Sequence, residues 1–428
     1  MLNILVMFVT MFALMFLGAE VFLSMGIAAV AYLLLSRNAP LTLIPTSMVN
    51  GISASSLLAI PFFILAGEFM NKSGITMRLV KFAQFFIGEW KGGLAYAVTI
   101  VNMIVAGVSG SAPADCSAVS SVLLKPMREE GYPDAFSGAI NAASATIGPI
   151  IPPSIPMVEV SLLTGLSVGK LFLGGFIPGV LMGLSLMAVS FFKVRKMDLP
   201  AAPSQEHSLK AFWKLLKYSW LALIAPLIII IGVISGFVTI TEVSILATAY
   251  VLFIGVVVYR TIKVKEIFGI FRGTVVFAST IMALFSVASI FAWFIAIEGL
   301  GAKLGAYIIA VHLTPLRFLL FANLLFIFLG CIMDAVPAMI IFLPVLLPIA
   351  LTLGIDPVHF CVIVVVNLMI GLLTPPVGGL LYIEAKLAKV PVDKLIKELI
   401  PDIIVLFSVV ALITLLPKLV TFVPGLFF

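Results

Sequence analysis

Charged residues are scarce in this sequence: they make up 10% of its 428 residues, whereas 62% are hydrophobic. Soluble globular domains carry about 25% charged residues and about 45–50% apolar residues. The apolar runs are also continuous, which excludes the alternating strands of an outer-membrane barrel. The sequence therefore predicts an all-α polytopic membrane protein with roughly a dozen helical segments of about 20 residues each.

Cysteine and histidine are rare as well, with three residues of each type. Cys116, Cys331 and Cys361 lie in apolar stretches without metal-ligand spacing, which predicts buried thiols and no disulfide framework. The histidines lie far apart in the sequence and form no ligand cluster, which argues against a haem or metal centre. No Walker motif, dinucleotide fingerprint or nucleophile elbow is present. We therefore expect a protein that is not an enzyme, holds no organic cofactor and depends on an ion gradient.

The basic residues, which give a net charge of +6, are concentrated in loops. The longest hydrophilic segment, 193–217, has six basic and two acidic residues, and a second basic loop covers 259–266. Positively charged loops stay in the cytoplasm. The apolar stretch between these loops is long enough for two spans, which returns the chain to the same side. The basic residues are too scattered to support nucleic-acid binding.

Two double prolines interrupt the apolar sequence, in GPIIPPS (148–154) and GLLTPPV (371–377). Adjacent prolines remove backbone donors and push the preceding residues out of helical geometry. In hydrocarbon this is costly, because the freed backbone groups find no water. When the sequence is shifted by 223 residues, the proline pairs coincide, and so do three glycines in each half. This match predicts an internal duplication.

The duplication predicts two halves. The first half, 1–192, contains a hairpin at 48–74, a broken helix at 107–127 and the first Pro-Pro motif. The basic linker 193–217 leads to the second half, 218–428, which has a broken helix at 330–350 and the second Pro-Pro motif. Paired Gly/Pro interruptions in duplicated halves point to a transporter binding site near the middle of the membrane. Whether the repeats are parallel or inverted does not follow from the spacing.

Two acidic residues follow the predicted helix breaks: Asp115 comes after SGSAPA and Asp334 comes after GCIM. A carboxylate within the membrane is costly and indicates function. The alternative is a helix N-cap, in which the aspartate accepts backbone amides. Hydroxyl and amide groups nearby in sequence are suitable oxygen ligands for a hard cation such as Na⁺. They belong to Ser109, Ser111, Asn141, Ser144, Thr146, Asn367 and Thr374.

The other acidic residues in apolar surroundings are interpreted differently. Glu68 and Glu298 lie near the ends of predicted hairpins, which favours an interfacial location over a role in proton coupling. Glu384 is assigned to the polar stretch around Lys386. Glu20 interrupts the apolar run 2–35, and we have no physical account of it. The run itself is interpreted as the first membrane element, tilted, broken or paired, and not as a cleaved signal.

Seven motifs along the chain carry a resemblance to a known family. They are LLAIPFFILAGEFM (57–70), GGL (92–94), SGSAPAD (109–115), GPIIPPSIPM (148–157), GGFIPG (174–179), MDAVPAMIIFLPVLLPI (333–349) and NLMIGLLTPPVG (367–378). Together they resemble the large membrane subunit of a tripartite ATP-independent periplasmic (TRAP) transporter, the DctM-like family. The resemblance covers essentially the full length of the chain.

The resemblance implies partners and an architecture. Such subunits work with a small membrane subunit and a soluble periplasmic substrate-binding protein in the bacterial inner membrane. They import organic anions, such as C4-dicarboxylates, sialic acids and related carboxylates or sulfonates, together with Na⁺. Their fold is of the elevator type, with two inverted repeats, re-entrant hairpins and broken helices.

The resemblance also implies two sets of site residues in this sequence. The expected Na⁺-binding residues surround the two helix breaks: Ser109, Gly110, Ser111 and Asp115, and then Gly330, Met333, Asp334 and Ala335. The expected substrate and gate residues lie in and before the Pro-Pro segments, which would close these sites: Asn141, Ser144, Thr146, Gly148, Pro152, Pro153, Asn367, Gly371, Thr374, Pro375 and Pro376.

The sequence thus predicts Na⁺-coupled import of a small organic anion delivered by a binding protein. The nearest alternative is a stand-alone Na⁺- or H⁺-coupled anion carrier that needs no binding protein. A membrane enzyme or respiratory subunit would require a haem, quinone or metal site, and a channel would show flux without saturation or ion coupling.

Overall fold

The structure is a computed structural model that describes residues 2–36, 40–87, 91–199, 208–299, 303 and 312–428. All regular secondary structure in these ranges is helical. Seven of the described helices are long and apolar enough to cross a membrane, or up to eight if one bent pair counts as a single span. The expected all-α polytopic membrane fold is confirmed.

The first helices form from the N-terminal apolar runs. They are α1 (Leu2–Phe16), α2 (Val21–Ser36), α3 (Leu43–Ile52), a 3₁₀ turn (Ser55–Leu58), α4 (Ala59–Ser73) and α5 (Ile75–Ile87). The run 2–35 is therefore two helices, separated at Gly18, whose φ of 86° ends a right-handed helix. Within the predicted hairpin at 48–74, the chain bends by 57° between α3 and the 3₁₀ turn with α4, before it reaches Pro61. The re-entrant character of this bent pair stays a prediction. Pro61 lies in the first turn of α4, where its missing N–H costs nothing.

Five helices follow in the first half: α6 (Gly93–Ser109), α7 (Ala112–Glu129), α8 (Asp134–Ala145), α9 (Ile155–Thr164) and α10 (Val168–Arg195). Three more lead into the second half: α11 (Leu209–Ser235), α12 (Ile240–Phe253) with a π-helical extension (Ile254–Val258), and α13 (Val264–Ile297). The predicted pair of spans between the basic loops is thus α11 and α12. The basic linker is helical at both ends, in α10 and α11, and its residues 200–207 lie outside the described ranges.

The remaining helices are α14 (Pro315–Ile332), α15 (Ala335–Thr352), α16 (Pro357–Gly371), α17 (Gly379–Ala388), α18 (Val392–Leu415), α19 (Lys418–Thr421) and α20 (Pro424–Phe427). Local sequence sets where two of them begin. Thr314 and Asp356 accept backbone N–H groups at the starts of α14 and α16, and each is followed by a proline. The predicted broken helices are therefore two pairs, with breaks at 110–111 and 333–334.

The helix bounds of the two halves correspond at the shift of 223 residues. Shifted α7 covers 335–352, which are the bounds of α15, and shifted α6 covers 316–332, one residue short of α14. The starts of α8, α9 and α10 fall within one residue of those of α16, α17 and α18. The orientation of the two repeats in the membrane stays a prediction.

The helices pack in two groups. The repeat body consists of α6–α10 and α14–α18, and the outer body of α1–α5 and α11–α13. The repeats interlock, because α9 packs on α15 while its counterpart α17 packs on α7. In the outer body, α12 and α13 pack on α4, and α13 also packs on α3. The two bodies meet where α4, α5 and α11 contact α6 and where α13 contacts α15.

Candidate functional site

The break between α6 and α7 is a compact turn that brings four predicted residues together. Gly110 has a φ of 60°, which favours glycine, and Ser111 is extended before α7 starts. The hydroxyl of Ser109 donates a hydrogen bond to the carboxylate of Asp115, and the same hydroxyl accepts the N–H of Ser111 at 3.2 Å. Asp115 is 1% exposed, and its second carboxylate oxygen, Oδ2, has no hydrogen-bond partner among the described residues.

The first Pro-Pro segment lies directly against this break. The N–H of Ile155 donates to the carbonyl of Gly110 at 3.4 Å, and a Cβ at Gly110 would lie 2.6 Å from the carbonyl oxygen of Pro153. A Cβ at Gly148 would overlap Oδ2 of Asp115. The peptide between Pro152 and Pro153 is cis. Glycines at 110 and 148 therefore let backbone and carboxylate approach more closely than any side chain would allow.

The second break has the same outline but is more open. Met333 and Asp334 are extended between α14 and α15, and the N–H of Val377 donates to the carbonyl of Cys331 at 3.0 Å. Gly330 and Gly371 pack backbone to backbone, since a Cβ at Gly330 would lie 3.0 Å from Cα of Gly371. The second Pro-Pro peptide, between Pro375 and Pro376, is also cis, but both prolines are exposed.

The N-cap interpretation does not describe either aspartate. Asp115 is the fourth residue of α7, whose N-cap is Ser111, and its recorded partner is a hydroxyl. Asp334 stands at the N-cap of α15, but its side chain is exposed and caps no amide among the described residues. The two carboxylates are therefore unequal: one is buried within a closed turn, and the other faces open space next to Ala335, which is buried.

A cavity of about 940 Å³ opens beside the first break. Its walls are one face each of α4, α7 and α13, together with Ser109 and Ser111. It thus lies between the repeat body and the outer body. Gly67 of α4 brings the outer body close to the break, because a Cβ there would lie 3.2 Å from Cβ of Ser109.

The cavity walls carry polar groups that were not predicted from the sequence to line a site. Among them are Glu68, Asn71 and Lys72 of α4, Ser117 and Ser121 of α7, and Glu266 and Thr274 of α13. Glu68, interpreted from sequence as interfacial, is thus on the cavity wall. The signal was available as helical spacing on α4 and α7, since Glu68 lies three and four positions before Asn71 and Lys72, and Ser117 lies four before Ser121. What the sequence could not supply was which three faces meet.

The residues predicted to bind substrate divide into two groups. Gly148, Pro152 and Pro153 lie at the first break, and Gly371, Thr374, Pro375 and Pro376 lie at the second. The others fill helix interfaces in the repeat body. Ser144 is hydrogen bonded to Thr99 at 2.9 Å, Asn367 donates to Asn323 at 2.8 Å, and Thr146 donates to a carbonyl of its own helix end at 2.6 Å. Ser144 and Asn367 thus bridge helices, Thr146 is bonded within its own helix end, and none of the three lines the cavity.

Glu384 corrects the interpretation of the second half. It is not part of a polar loop but is 0% exposed on α17. Its carboxylate accepts hydrogen bonds from Ser120 at 2.7 Å, Cys116 at 2.9 Å and Asn141 at 3.0 Å. Asn141, predicted as a substrate ligand, is therefore occupied by Glu384 and by Asn102, which donates to its carbonyl oxygen at 3.0 Å.

Glu298 and the three cysteines were also interpreted from the sequence. Glu298 lies at the end of α13 and accepts a hydrogen bond from Tyr32 at 2.9 Å, with Lys303 at 3.7 Å. The three cysteines are buried and free, which confirms the expected buried thiols.

Comparison with known proteins identifies the family. A family model for the "Tripartite ATP-independent periplasmic transporter, DctM component" matches residues 8–419. The chain belongs to this family. The family expected from the seven motifs is confirmed, and the chain is a multi-pass membrane component of a transporter. The helix breaks and the cavity are thus features of a DctM component.

Relatives support this assignment, and a solved structure shows the same fold. The chain is 37% identical over 97% of its length to the sialic acid TRAP transporter large permease protein SiaM of Vibrio cholerae, covering 96% of that protein. It is 35% identical over 95% of its length to the isethionate TRAP transporter permease protein DctMQ of Oleidesulfovibrio alaskensis, covering 64% of that longer protein. The YdaH transporter of Alcanivorax borkumensis shares the fold, with a TM-score of 0.61, 16% identity and 87% coverage of both chains.

Proposed function

We propose that this DctM component imports a small organic anion by secondary transport coupled to Na⁺. The anion is delivered by a periplasmic binding protein, and the chain works with a small membrane subunit in the bacterial inner membrane. Na⁺ is transported cargo that binds at the two helix breaks. The repeat body carries anion and Na⁺ past the outer body in an elevator motion.

One observation carries the Na⁺ proposal: the orphaned carboxylate oxygen of Asp115. Within the described ranges no basic side chain forms an ion pair with Asp115, and Oδ2 accepts no hydrogen bond. A buried charge without a partner is costly, and a bound cation removes that cost. The donor set fits Na⁺, because a carboxylate, hydroxyls and the carbonyls of a helix end are oxygen ligands of the kind that hard cations prefer.

The cavity beside the first break supports an anionic substrate of small size. Its volume of about 940 Å³ lies within the roughly 300–1,000 Å³ typical of small-molecule sites. Lys72 supplies a positive charge on a wall that also carries Glu68 and Glu266, and at the N-terminus of α7 the backbone N–H of Ala114 lies at the cavity. Ser117, Ser121 and Asn71 offer hydrogen bonds to hydroxyl or carboxyl groups. The relatives named for sialic acid and isethionate act on anions of this size class.

The position of the cavity supports movement of one body against the other. α4 and α13 belong to the outer body, whereas α7 and the first break belong to the repeat body, so sliding between the bodies would open and close the cavity. The N–H of Ile155 and the carbonyl of Gly110 join the first Pro-Pro segment to the break. The Na⁺ site and one cavity wall would therefore move together.

The small-subunit partner is supported by the fused relative. This chain covers 64% of the isethionate permease DctMQ. The name of that relative joins DctM with a second component, which supports a small membrane subunit as a partner of this chain. The word tripartite in the family description supports a third component in addition to the two membrane subunits.

Uptake by proteoliposomes tests the proposal. The chain is reconstituted with the small subunit and binding protein encoded beside it, and labelled sialic acid, isethionate and C4-dicarboxylates are offered with and without an inward Na⁺ gradient. We expect uptake of one class of anion that requires both Na⁺ and the binding protein. Uptake by this chain alone would support the stand-alone carrier, and uptake that ignores Na⁺ would overturn the proposed coupling.

A further inference from the structure

Glu384 connects the two repeats at their interface. It lies on α17 of the second repeat, and all three of its hydrogen-bond donors lie on the first: Cys116 and Ser120 on α7, and Asn141 on α8. The carboxylate is fully buried, so water does not compete for these bonds. Hydrogen bonds to an ionised acceptor are about twice as strong as neutral ones.

Within the second repeat, Glu384 is close in sequence to the Pro-Pro segment that packs on the second break. α17 begins at Gly379, directly after the second Pro-Pro segment, and the N–H of Leu380 donates back to the carbonyl of Leu372 at 3.2 Å. Val377 in that segment donates to Cys331 at the end of α14 at 3.0 Å. The segment is thus held to the second break at one end and to α17 at the other.

On the opposite side, the donors lie next to the first break. Cys116 follows Asp115 in α7, and Asp115 accepts the hydroxyl of Ser109. Asn141 lies in α8, which leads into the first Pro-Pro segment, and it also donates to the carbonyl of Cys116 at 2.9 Å. A shift of α17 would therefore move the helix that carries Asp115.

The equivalent contact, between α9 of the first repeat and α15 of the second, has no such hydrogen-bonded carboxylate among the described residues. The position of Glu384 in the first repeat is Ser161, which donates to Leu166 at the end of its own helix. Glu159, the buried carboxylate on α9, has no hydrogen-bond partner on either oxygen within the described chain. Among the described residues, the polar contacts between α7 and α17 are therefore the buried Glu384 network next to the breaks and, at the far end of both helices, a hydrogen bond from Arg128 to the carbonyl of Ala388 at 3.5 Å.

We propose that Glu384 is a positioning residue that couples the two helix breaks, so that closing of the second Pro-Pro segment raises the affinity of the first break for Na⁺. This inference rests on the proposed function. Coupling requires two sites and a physical element that both bias, and here the element is α17. A purely structural Glu384 would affect stability but would leave the two breaks independent.

A double-mutant cycle followed by hydrogen–deuterium exchange tests the coupling without measuring transport. The purified chain is titrated with Na⁺ against choline at constant ionic strength, and protection is followed at the amides of Ile150, Ile151 and Ser154. Val377→Pro removes the N–H that holds the second segment to Cys331, whereas Val377→Ala keeps it and is the matched control. Both Val377 variants are measured in the chain with Glu384 and in the chain with Glu384→Gln. The glutamine keeps the shape of the side chain, but it replaces one acceptor oxygen by an NH₂ donor that faces Asn141.

We expect Val377→Pro to raise the Na⁺ concentration for half-protection of the first segment about fivefold or more when Glu384 is present, as is typical of allosteric coupling. In the Glu384→Gln background, Val377→Pro should shift the Na⁺ concentration for half-protection by less than about twofold. Val377→Ala should shift it in neither background. Glu159→Gln, a second buried carboxylate outside the link, should leave the fivefold effect intact.

Three results would overturn the inference. An equal shift with and without Glu384 means that the coupling bypasses this residue, and no shift with Glu384 present means that the breaks are independent. If the unaltered chain shows no protection by Na⁺ at either Pro-Pro segment, the proposed Na⁺ sites fail and the coupling fails with them. If Glu384→Gln does not fold, Ser120→Ala and Cys116→Ala each remove one donor and should each reduce the shift.

Discussion

The carboxylate of Asp115 occupies the space in which a side chain at Gly148 would lie. A Cβ at Gly148 would overlap Oδ2 of Asp115, the oxygen that accepts no hydrogen bond within the described chain. This close approach connects the first Pro-Pro segment with the first helix break. It also places the carboxylate oxygen that has no hydrogen-bond partner among the described residues against the backbone of the first Pro-Pro segment.

The first prediction concerns this contact. Gly148→Ala should displace Asp115 and reduce Na⁺-dependent uptake at least about tenfold, because a misplaced ligand costs more than about 1.4 kcal/mol. The measurement is the Na⁺ concentration for half-maximal uptake in proteoliposomes. Gly26→Ala is the matched control, since a Cβ at Gly26 meets no atom within 4 Å. Unchanged Na⁺ dependence in Gly148→Ala would contradict the role of this contact.

The second prediction concerns the two aspartates. Asp115→Ala and Asp334→Ala should each abolish Na⁺-driven uptake while the protein still inserts into the membrane, because each removes a carboxylate ligand of the proposed sites. Asp115→Asn should have nearly the same effect as Asp115→Ala, since it keeps the size but loses the charge. Glu129→Gln, an exposed change at the end of α7, serves as control. Normal transport by both alanine variants would refute the assignment of these sites.

The third prediction compares two buried glutamates. Glu159 is 1% exposed without a hydrogen-bond partner among the described residues, so Glu159→Leu should stabilise the protein, by roughly 1–3 kcal/mol. Glu384→Leu should destabilise it by a similar amount or more, because it removes the acceptor of the Ser120 hydroxyl and of the Cys116 thiol.

Thermal unfolding of the two leucine variants in the same detergent checks these opposite signs. A loss of stability in Glu159→Leu would show that its carboxyl group has a partner in the folded protein.

The fourth prediction concerns the cavity. Lys72→Gln should raise the KM for the anion about tenfold and leave the Na⁺ concentration for half-maximal uptake unchanged, because the lysine charge acts on the anion alone. Lys125→Gln is the control, since Lys125 is on α7 with 83% of its side chain exposed. Concentration series of anion and of Na⁺ separate the two effects. An equal change in both would place Lys72 in the Na⁺ site.

Part of this site could be predicted from the sequence because it is local. Ser109, Gly110, Ser111 and Asp115 lie within seven consecutive positions, and a break in an apolar helix is visible as Gly and Ser in an unfavourable place. The Pro-Pro segments were visible for the same reason, and their repetition placed the second break. The helix spans between the basic loops followed from length and charge alone.

Glu384 shows what the sequence could not supply. It lies 268 positions from Cys116, beside Lys386 and Lys389, and in sequence it resembles the start of a polar loop. Only the packing of α17 on α7 turns it into the centre of a buried network. Asn141 and Asn367 show the same limit, because the sequence could not reveal that neighbouring helices already occupy their amides. Their role as substrate ligands stays a prediction.

The sequence by itself determined the membrane class, the two helix breaks and the family, because each of these depends on composition or on residues close together along the chain. The tertiary structure decided which helix faces enclose the cavity, which aspartate is buried and how the repeats are connected. These depend on contacts between residues far apart in sequence. In an apolar chain nearly every helix face is hydrophobic, so the pattern along one helix does not identify the face that its partner covers.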